Sequence, residues 1–349
     1  MYSSYIGYKA FNFPKLARKS TKKTNLKKEA LQKIKNYIFF MPKKIKAKAL
    51  VLFSGGLDSL LTCKILQKQK IKVTPVFFKT YFFDSKKAEE IAKGNGLQLK
   101  VVDISEEHLK IVKKPKFGYG SSANPCLDCH ILMLKKAKEI LEKENYDFVA
   151  TGEVLGERPM SQNKKALELV EKESSLTGYL LRPLSAKLLK KTIPEEKGWV
   201  LREALFDIFG RGRKKQLELV KKFKIKKFLS PAGGCILCDL EFGKKLKELL
   251  IRYPNFSGID VENLKIGRHF WEEDVKIIVG RTHKENLKLE KLKQENDYIV
   301  KMENYPGPTV LIKSYGRKVS KTIFKKAKKL IKKYAKKAKG KKDIKFLIY

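Results

Sequence analysis

The chain has 349 residues, enough for two or three domains, and 42% of them are hydrophobic, enough for a packed core. No apolar run approaches the roughly 20 residues of a helical membrane span, and five cysteines are too few for a secreted disulfide scaffold, so a reducing cytoplasm is expected. The formal net charge of +42, from 79 Lys and Arg against 37 Asp and Glu, points to a polyanionic partner, nucleic acid first, although a lysine-rich proteome would add to the same bias.

Residues 1–45 are basic, have no secretory apolar core and read as a disordered extension. Met41-Pro42-Lys43-Lys44 leads straight into the first strand, which makes Met41 a candidate start. Ala49–Phe53 reads as a buried parallel strand, and a helix follows from Leu60. Between them stands Ser54-Gly55-Gly56-Leu57-Asp58-Ser59. A strand, a glycine turn and a helix N-terminus together make an anion site. The glycines let the backbone curl so that several N–H groups face one phosphate, and the helix dipole adds to the attraction. The hydroxyls of Ser54 and Ser59 add donors, and Asp58 is placed to hold a Mg²⁺ that bridges phosphates. A Walker loop needs four residues between its glycines and a Gly-Lys-Ser/Thr ending, and this run has neither.

Strands and helices then alternate. Val73–Phe78, Leu97–Ile104, Tyr146–Thr151 and Tyr179–Leu184 read as strands, and Ser85–Gly94 and Leu132–Glu144 as helices. The pattern predicts an α/β fold with a doubly wound parallel sheet, whose ligand sits at the C-terminal strand ends. The glycine turn, Gly152-Glu153 and Arg182-Pro183 all fall at such ends. Residues 194–229 read as helical and basic, and Lys244–Arg252 as a short helix. From residue 259 onward the pattern changes to short strands at Val275–Val279, Tyr298–Met302 and Thr309–Ile312, then a lysine-rich helix over Lys318–Lys339 with Ile323, Ala327, Leu330, Ile331 and Tyr334 on one stripe. The expected organisation is an extension over 1–45, a nucleotide domain over 46–245 and a small α+β module over 259–349.

Four of the five cysteines form two pairs, Cys126-x-x-Cys129 and Cys235-x-x-Cys238, expected on two loops that meet in space. Three chemistries suit such pairs: a Cys₄ Zn²⁺ site, a three-cysteine [4Fe-4S] cluster with one open iron, or metal-free persulfide transfer. Cys63, on the helix after the glycine turn, reads as core. His130 reads as a solvated or helix-capping side chain, and His269 and His283 as facing RNA or solvent.

The Ser-Gly-Gly-x-Asp-Ser run resembles the PP-loop of the ATP pyrophosphatases, which split ATP between the α- and β-phosphates and use AMP to activate an oxygen. Together with the cysteines it makes the chain similar to tRNA thiolation enzymes of that class. Ala150-Thr151-Gly152-Glu153-Val154-Leu155-Gly156, the downstream Ser161-Gln162 and Leu181-Arg182-Pro183-Leu184 resemble the 4-thiouridine synthetase family, and Asn124-Pro125-Cys126-x-x-Cys129 resembles the 2-thiouridylases. This resemblance spans about residues 48–240. Val279-Gly280-Arg281-Thr282-His283, Asn296-Asp297-Tyr298 and Pro306-Gly307-Pro308-Thr309 resemble the RNA-binding module of the NFACT family. There is no segment like a THUMP or rhodanese domain, so RNA has to be gripped elsewhere.

The resemblance implies an ATP-dependent tRNA sulfurtransferase, with 4-thiouridine as the favoured product and 2-thiouridine as the alternative. Ser54, Gly55, Gly56, Asp58 and Ser59 would bind pyrophosphate and Mg²⁺, and Gly152 and Arg182 would lie near the nucleotide. Cys126, Cys129 and Cys235 would ligate a [4Fe-4S] cluster with Cys238 spare, or Cys129 and Cys235 would react as a persulfide pair. Asp58, Cys129 and Cys235 would carry the chemistry, tRNA and a sulfide or persulfide donor would be the partners, and no membrane would be involved. Two other classes compete: a PP-loop ligase or amidotransferase acting on a small molecule, and a non-catalytic RNA-binding or ribosome-associated factor.

Overall fold

A computed structural model of the chain describes residues 47–229 and 235–349. The expected extension over 1–45 and the loop at 231–234 lie outside them.

Five strands, β1 (Lys48–Leu52), β2 (Lys72–Lys79), β3 (Lys100–Asp103), β4 (Phe148–Ala150) and β5 (Leu180–Leu181), form one parallel sheet in the order β3-β2-β1-β4-β5. The chain runs outward from β1 to β3 on one side and crosses back to β4 and β5 on the other. The doubly wound expectation holds, and its topological switch point lies between β1 and β4. The central strand is apolar on both faces, as a doubly covered parallel strand must be. Ala49 and Val51 pack with Leu60, Leu61 and Ile65 of α1 (Leu57–Lys68) and with Ile91 of α2 (Lys86–Gly94). Leu50 points the other way, toward Ile131 and Leu134.

Between β3 and β4 lie α3 (Ser105–Lys113) and α4 (Cys126–Lys143), and before β5 comes α5 (Lys164–Glu173). The helix expected from Leu132 therefore begins six residues earlier, at Cys126 itself. Residues 194–229 are not one helical stretch. Only α6 (Ile193–Glu196) and α7 (Lys214–Lys222) are α-helical there, because Gly198 and Gly210 take φ of +68° and +77° and break the run. Cys63 is fully buried, as expected.

Two helices, α8 (Leu240–Arg252) and α9 (Gly258–Leu264), follow. A separate antiparallel sheet comes next, from β6 (Arg268–Glu272), β7 (Val275–Val279), β8 (Tyr298–Met302), β9 (Val310–Lys313) and β10 (Phe346–Ile348), in the order β10-β8-β9-β7-β6. One face is covered by α10 (His283–Lys291) through Leu289, and the other by α11 (Lys321–Tyr334). The stripe read on α11 is its inward face: Ile323, Ala327, Leu330 and Ile331 are buried, and the lysines point mostly outward.

The layer of α8 and α9 joins the two sheets. Phe242, Leu246, Leu249, Val261 and Leu264 pack with Phe82 after β2 and with Leu109 and Val112 of α3. On the opposite side, buried Lys313 of β9 lies 3.3 Å from Asp260 of α9 and 3.0 Å from Asp297, and also bonds Gln294. Removing one member of such a buried set strands the others' charge, at a cost of about 3–5 kcal/mol. Lys313→Met alone should therefore lower the denaturant midpoint steeply. Combining it with Asp260→Leu and Asp297→Leu should restore most of the loss.

Candidate active site

At the switch point, β1 runs into the glycine turn. Phe53 N donates to Val76 O at 2.8 Å and holds the strand end, and Gly55 then turns with φ +78°. A Cβ at that position would meet Ala88 Cα at 3.0 Å, so glycine is required twice over, by backbone angle and by space. The N-terminus of α1 has no side-chain cap, so its first N–H groups remain open. The two serines shape the turn: Ser54 N donates to Ser59 Oγ at 3.3 Å, Ser59 Oγ to Gly56 O at 2.9 Å, and Gly56 N to Ser54 Oγ at 3.3 Å.

Asp58 sits in the first turn of α1 with Oδ1 buried and without a hydrogen-bond partner. Burial raises its pKa, against the opposing charges of Arg213 and Arg158 and the nearby Gln216. An orphaned carboxylate oxygen beside an open helix N-terminus fits a phosphate-bound Mg²⁺. Glu157 reaches to 3.7 Å from Arg213, and burial and the charge of Asp58 raise its pKa.

Gly152 explains itself by a close approach. A Cβ there would lie 2.5 Å from Ser59 N and 2.6 Å from Asp58 C. The next residue, Glu153, is buried in a polar network. Its Oε2 accepts from Thr151 Oγ1 and from Arg182 Nε, each at 2.9 Å, and its Oε1 lies 3.1 Å from His130 Nδ1. Burial raises the Glu153 pKa, but the charges and hydrogen bonds of Arg182 and His130 outweigh it and hold the pKa at about 2. His130 is thus neither solvated nor capping: it pairs with Glu153.

Arg182 is buried. Beyond Glu153 it bonds Glu171 Oε2 at 2.9 Å and Leu167 O at 3.2 Å. With its guanidinium engaged in this way, it acts as a positioning residue for Glu153.

The first cysteine pair lies on the opening turn of α4 and not on a loop. Asn124 Nδ2 donates to Cys126 Sγ at 3.2 Å, and His108 Nε2 of α3 lies 3.2 Å from Cys129 Sγ. Burial of His108 pushes its pKa down to about 4, so at neutral pH it brings no charge to Cys129. The second pair flanks a single 3₁₀ turn, Ile236–Cys238. Direct packing brings the two segments together: Ser122 Oγ donates to Asp239 O at 2.9 Å, and a Cβ on Gly243 would lie 2.0 Å from Ser122 Oγ. Burial raises the Cys129 pKa well above the ordinary thiol value, and the neighbouring Cys235, Cys126 and Cys238 push it further. Burial likewise takes Cys235 to about 12, with Cys238 and Cys126 adding and Arg158 opposing. The four thiols are therefore electrostatic neighbours. Among the described residues, however, no group of three or more His, Cys, Asp or Glu side chains is arranged to hold a metal ion. The expected [4Fe-4S] or Zn²⁺ set finds no support in that placement.

The glycine turn and the thiols are linked along the chain as well. Leu229 N donates to Gly55 O at 3.2 Å, and Leu229 pairs with Gly56 in a parallel bridge. Cys235 follows six residues later, within a maximal reach of about 20 Å. His108 and Gln216 were not read from the sequence, and Glu157 and Arg158 (which continue the run after Gly156) and Arg213 (in the basic stretch 194–229) were given no role there, because each meets the site through tertiary contacts. His269, expected at RNA or solvent, donates to or accepts from no RNA-facing group here: its Nε2 lies 2.9 Å from Ile266 O, and burial takes its pKa far down. His283 is exposed at the start of α10.

Comparison with known proteins follows the same division. Residues 47–197 match the family model described as the tRNA methyl transferase HUP domain, and residues 267–348 match the NFACT protein RNA binding domain. The tRNA-specific 2-thiouridylase MnmA 3 of Bacteroides fragilis is 30% identical over 114 residues, 32% of each chain. A probable tRNA sulfurtransferase of Thermoanaerobacter sp. is 28% identical over 155 residues, 41% of this chain and 38% of that one. The solved structure of a predicted subunit of tRNA methyltransferase from Methanocaldococcus jannaschii aligns with TM-score 0.31 and 22% identity, over 44% of this chain and 74% of that one. The chain spans about a third of the length of these two curated relatives. Both resemblances read from the sequence are borne out, each on its own segment. Among the described residues no helix is long and apolar enough to cross a membrane.

Breaking the Glu153 network tests its role. Arg182→Met leaves the Glu153 carboxylate buried with only His130 and the Thr151 hydroxyl as partners, and the expected loss is about 3–5 kcal/mol in chemical denaturation. Arg182→Met with Glu153→Gln should recover part of that loss.

Proposed function

We propose that this chain is an ATP-dependent tRNA thiolation enzyme. The observation that carries the proposal is the junction at Gly152-Glu153. Gly152 touches the first turn of α1 at the glycine turn, and Glu153 holds His130, the neighbour of Cys129. An anion site and a thiol cluster thus share one scaffold, in a chain whose two segments match a tRNA-modifying and an RNA-binding family model.

In this reading the N–H groups of Gly55, Gly56 and Ser59, with Ser54, hold the β- and γ-phosphates of ATP. Asp58 would hold a Mg²⁺ ion, which would neutralise charge on the departing pyrophosphate. A uridine carbonyl oxygen attacks the α-phosphate, pyrophosphate leaves, and the oxygen becomes part of an AMP leaving group. Gly152 keeps the β4 end clear of that nucleotide. The relatives' names favour 2-thiouridine, whereas the Thr151-to-Gly156 run and Arg182-Pro183 favour 4-thiouridine, our first choice of product.

For the sulfur step we take the persulfide pair, which the packing of the two cysteine segments against each other through Ser122 and Asp239 supports. The terminal sulfur of a persulfide on Cys129 attacks the activated carbon, and AMP departs with the oxygen. The Cys235 thiolate then breaks the S–S bond, which leaves sulfur on the base and forms a Cys129–Cys235 disulfide, and an external thiol reductant restores both thiols. A preparation made without oxygen that carries iron, acid-labile sulfide and broad visible absorbance would replace this pair with a cluster on Cys126, Cys129 and Cys235.

Asp58→Ala is the direct test. Single electrostatic groups at such sites are worth on the order of 10²–10³ in rate. The variant should lose thiolation by at least that factor in a tRNA thionucleoside assay, while tRNA binding survives. Unchanged function would favour the RNA-binding factor, and ATP–pyrophosphate exchange that needs no tRNA would favour the small-molecule ligase.

A further inference from the structure

A cavity of about 620 Å³ opens beside the second cysteine pair. Cys235, Cys238 and Phe242 line it, together with Lys245 of α8, Lys265 just after α9 and Arg281 before α10. It is therefore shared by the thiol site and the C-terminal module. Its size is that of an ordinary ligand pocket.

Among the described residues, one cation at this cavity lacks an ion-pair partner. The two acids on its wall are committed elsewhere: Asp239 Oδ1 accepts from Phe242 N at 2.7 Å as the cap of α8, and Glu241 pairs with Lys244 at 2.8 Å. Lys265 pairs with Glu262, and Arg281 with Glu285 at 2.5 Å. Lys245 is half-buried and, among the described residues, has no carboxylate within ion-pair distance. Burial and the facing charge of Arg281 push its pKa down, against the weaker pull of Glu241, Asp239 and Glu285. A half-buried lysine without a carboxylate partner, near the guanidinium of Arg281 in a concave, partly dehydrated place, makes a site that an added anion would neutralise.

We propose that this cavity binds a phosphodiester of the substrate RNA next to the nucleotide being thiolated, so that Lys245 and Arg281 fix the strand beside Cys235 and Cys238. The inference rests on the thiolation reading above and adds the place where the RNA enters. A backbone phosphate is favoured over a small free anion because the cations come from three separate segments, one of them in the module that matches an RNA-binding domain. Bound there, the strand shields the second cysteine pair from solvent while the module holds its neighbouring phosphates.

The test uses the full chain and unmodified tRNA. Binding is measured over a salt series for the native protein and for Lys245→Ala, Lys245→Arg and Arg281→Ala. Each alanine variant should lower the slope of log affinity against log salt by about 0.7–0.9, the value of one lost phosphate contact. The KM for tRNA should rise while that for ATP stays unchanged, and Lys245→Arg should keep the native slope. Alkylation of Cys235 and Cys238 by iodoacetamide supplies a readout independent of activity: tRNA should slow it in the native protein and fail to do so in Lys245→Ala. Native slopes and native protection in the alanine variants would overturn the proposal, as would equal protection by inorganic phosphate alone. A chain that binds no tRNA at all would instead sink the thiolation reading itself, so the two failures are distinguishable.

Discussion

The contact between the end of β4 and the first turn of α1 sets the geometry of everything around it. At Gly152 the two backbones meet so closely that a single methyl group would lie 2.5 Å from Ser59 N. Such an approach leaves no room for water, so Glu153, the next residue, is carried inside with its charge. A buried carboxylate is tolerated only when it is paired and hydrogen-bonded on most sides. Arg182, Thr151 and His130 meet that demand. His130 stands on the opening turn of α4, beside Cys129, so satisfying Glu153 also orients the helix that presents the first thiol pair. One glycine contact thereby fixes the spacing between the phosphate turn and the cysteines.

The thiols themselves are held in a resting state. Burial and mutual proximity keep Cys129 and Cys235 protonated at neutral pH, and the neighbouring His108, itself neutral, does nothing to reverse this. Thiol–disulfide exchange needs a thiolate, so in this arrangement neither thiol is an activated nucleophile. The positive charge that would favour a thiolate is Arg158, which acts on Asp58, Cys235 and Cys238 alike. This exposed side chain therefore couples the two halves of the site electrostatically: a shift toward Asp58 weakens its hold on the cysteines, and the reverse.

The sequence shows a part of this directly. The central strands β1 and β4 are legible because they are buried on both faces and read as apolar runs, and the phosphate turn because its six residues are contiguous. The opening turn of α4 is not, since Asn124-Pro125 and two cysteines mask its start and the helical period only becomes visible from Leu132. Residues 194–229 mislead in the opposite direction. Their apolar residues recur at helical spacing, but Gly198 and Gly210 adopt left-handed angles and the chain turns instead. The commitment of Arg182 to Glu153 and Glu171, and that of His108 to Cys129, depends on helices packing across the sheet, and no local pattern encodes either.

The manner in which the C-terminal module is attached bears on what its charge can do. A module on a loose tether raises the local concentration of RNA but leaves the strand free to reorient, and ordering it costs binding energy at the site. Here Tyr253 of the segment after α8 stacks on Tyr315 at 4.3 Å, Trp271 of β6 lies 6.0 Å from Tyr315, and Arg252 sits over the Trp271 ring at 5.1 Å. With the Lys313 ion cluster and the apolar layer of α8 and α9, these contacts join the module to the thiol-bearing segment as one packed unit. On the thiolation reading proposed above, energy gained at remote phosphates would then not be dissipated in a hinge but would hold a base against the thiols in the orientation that substitution requires.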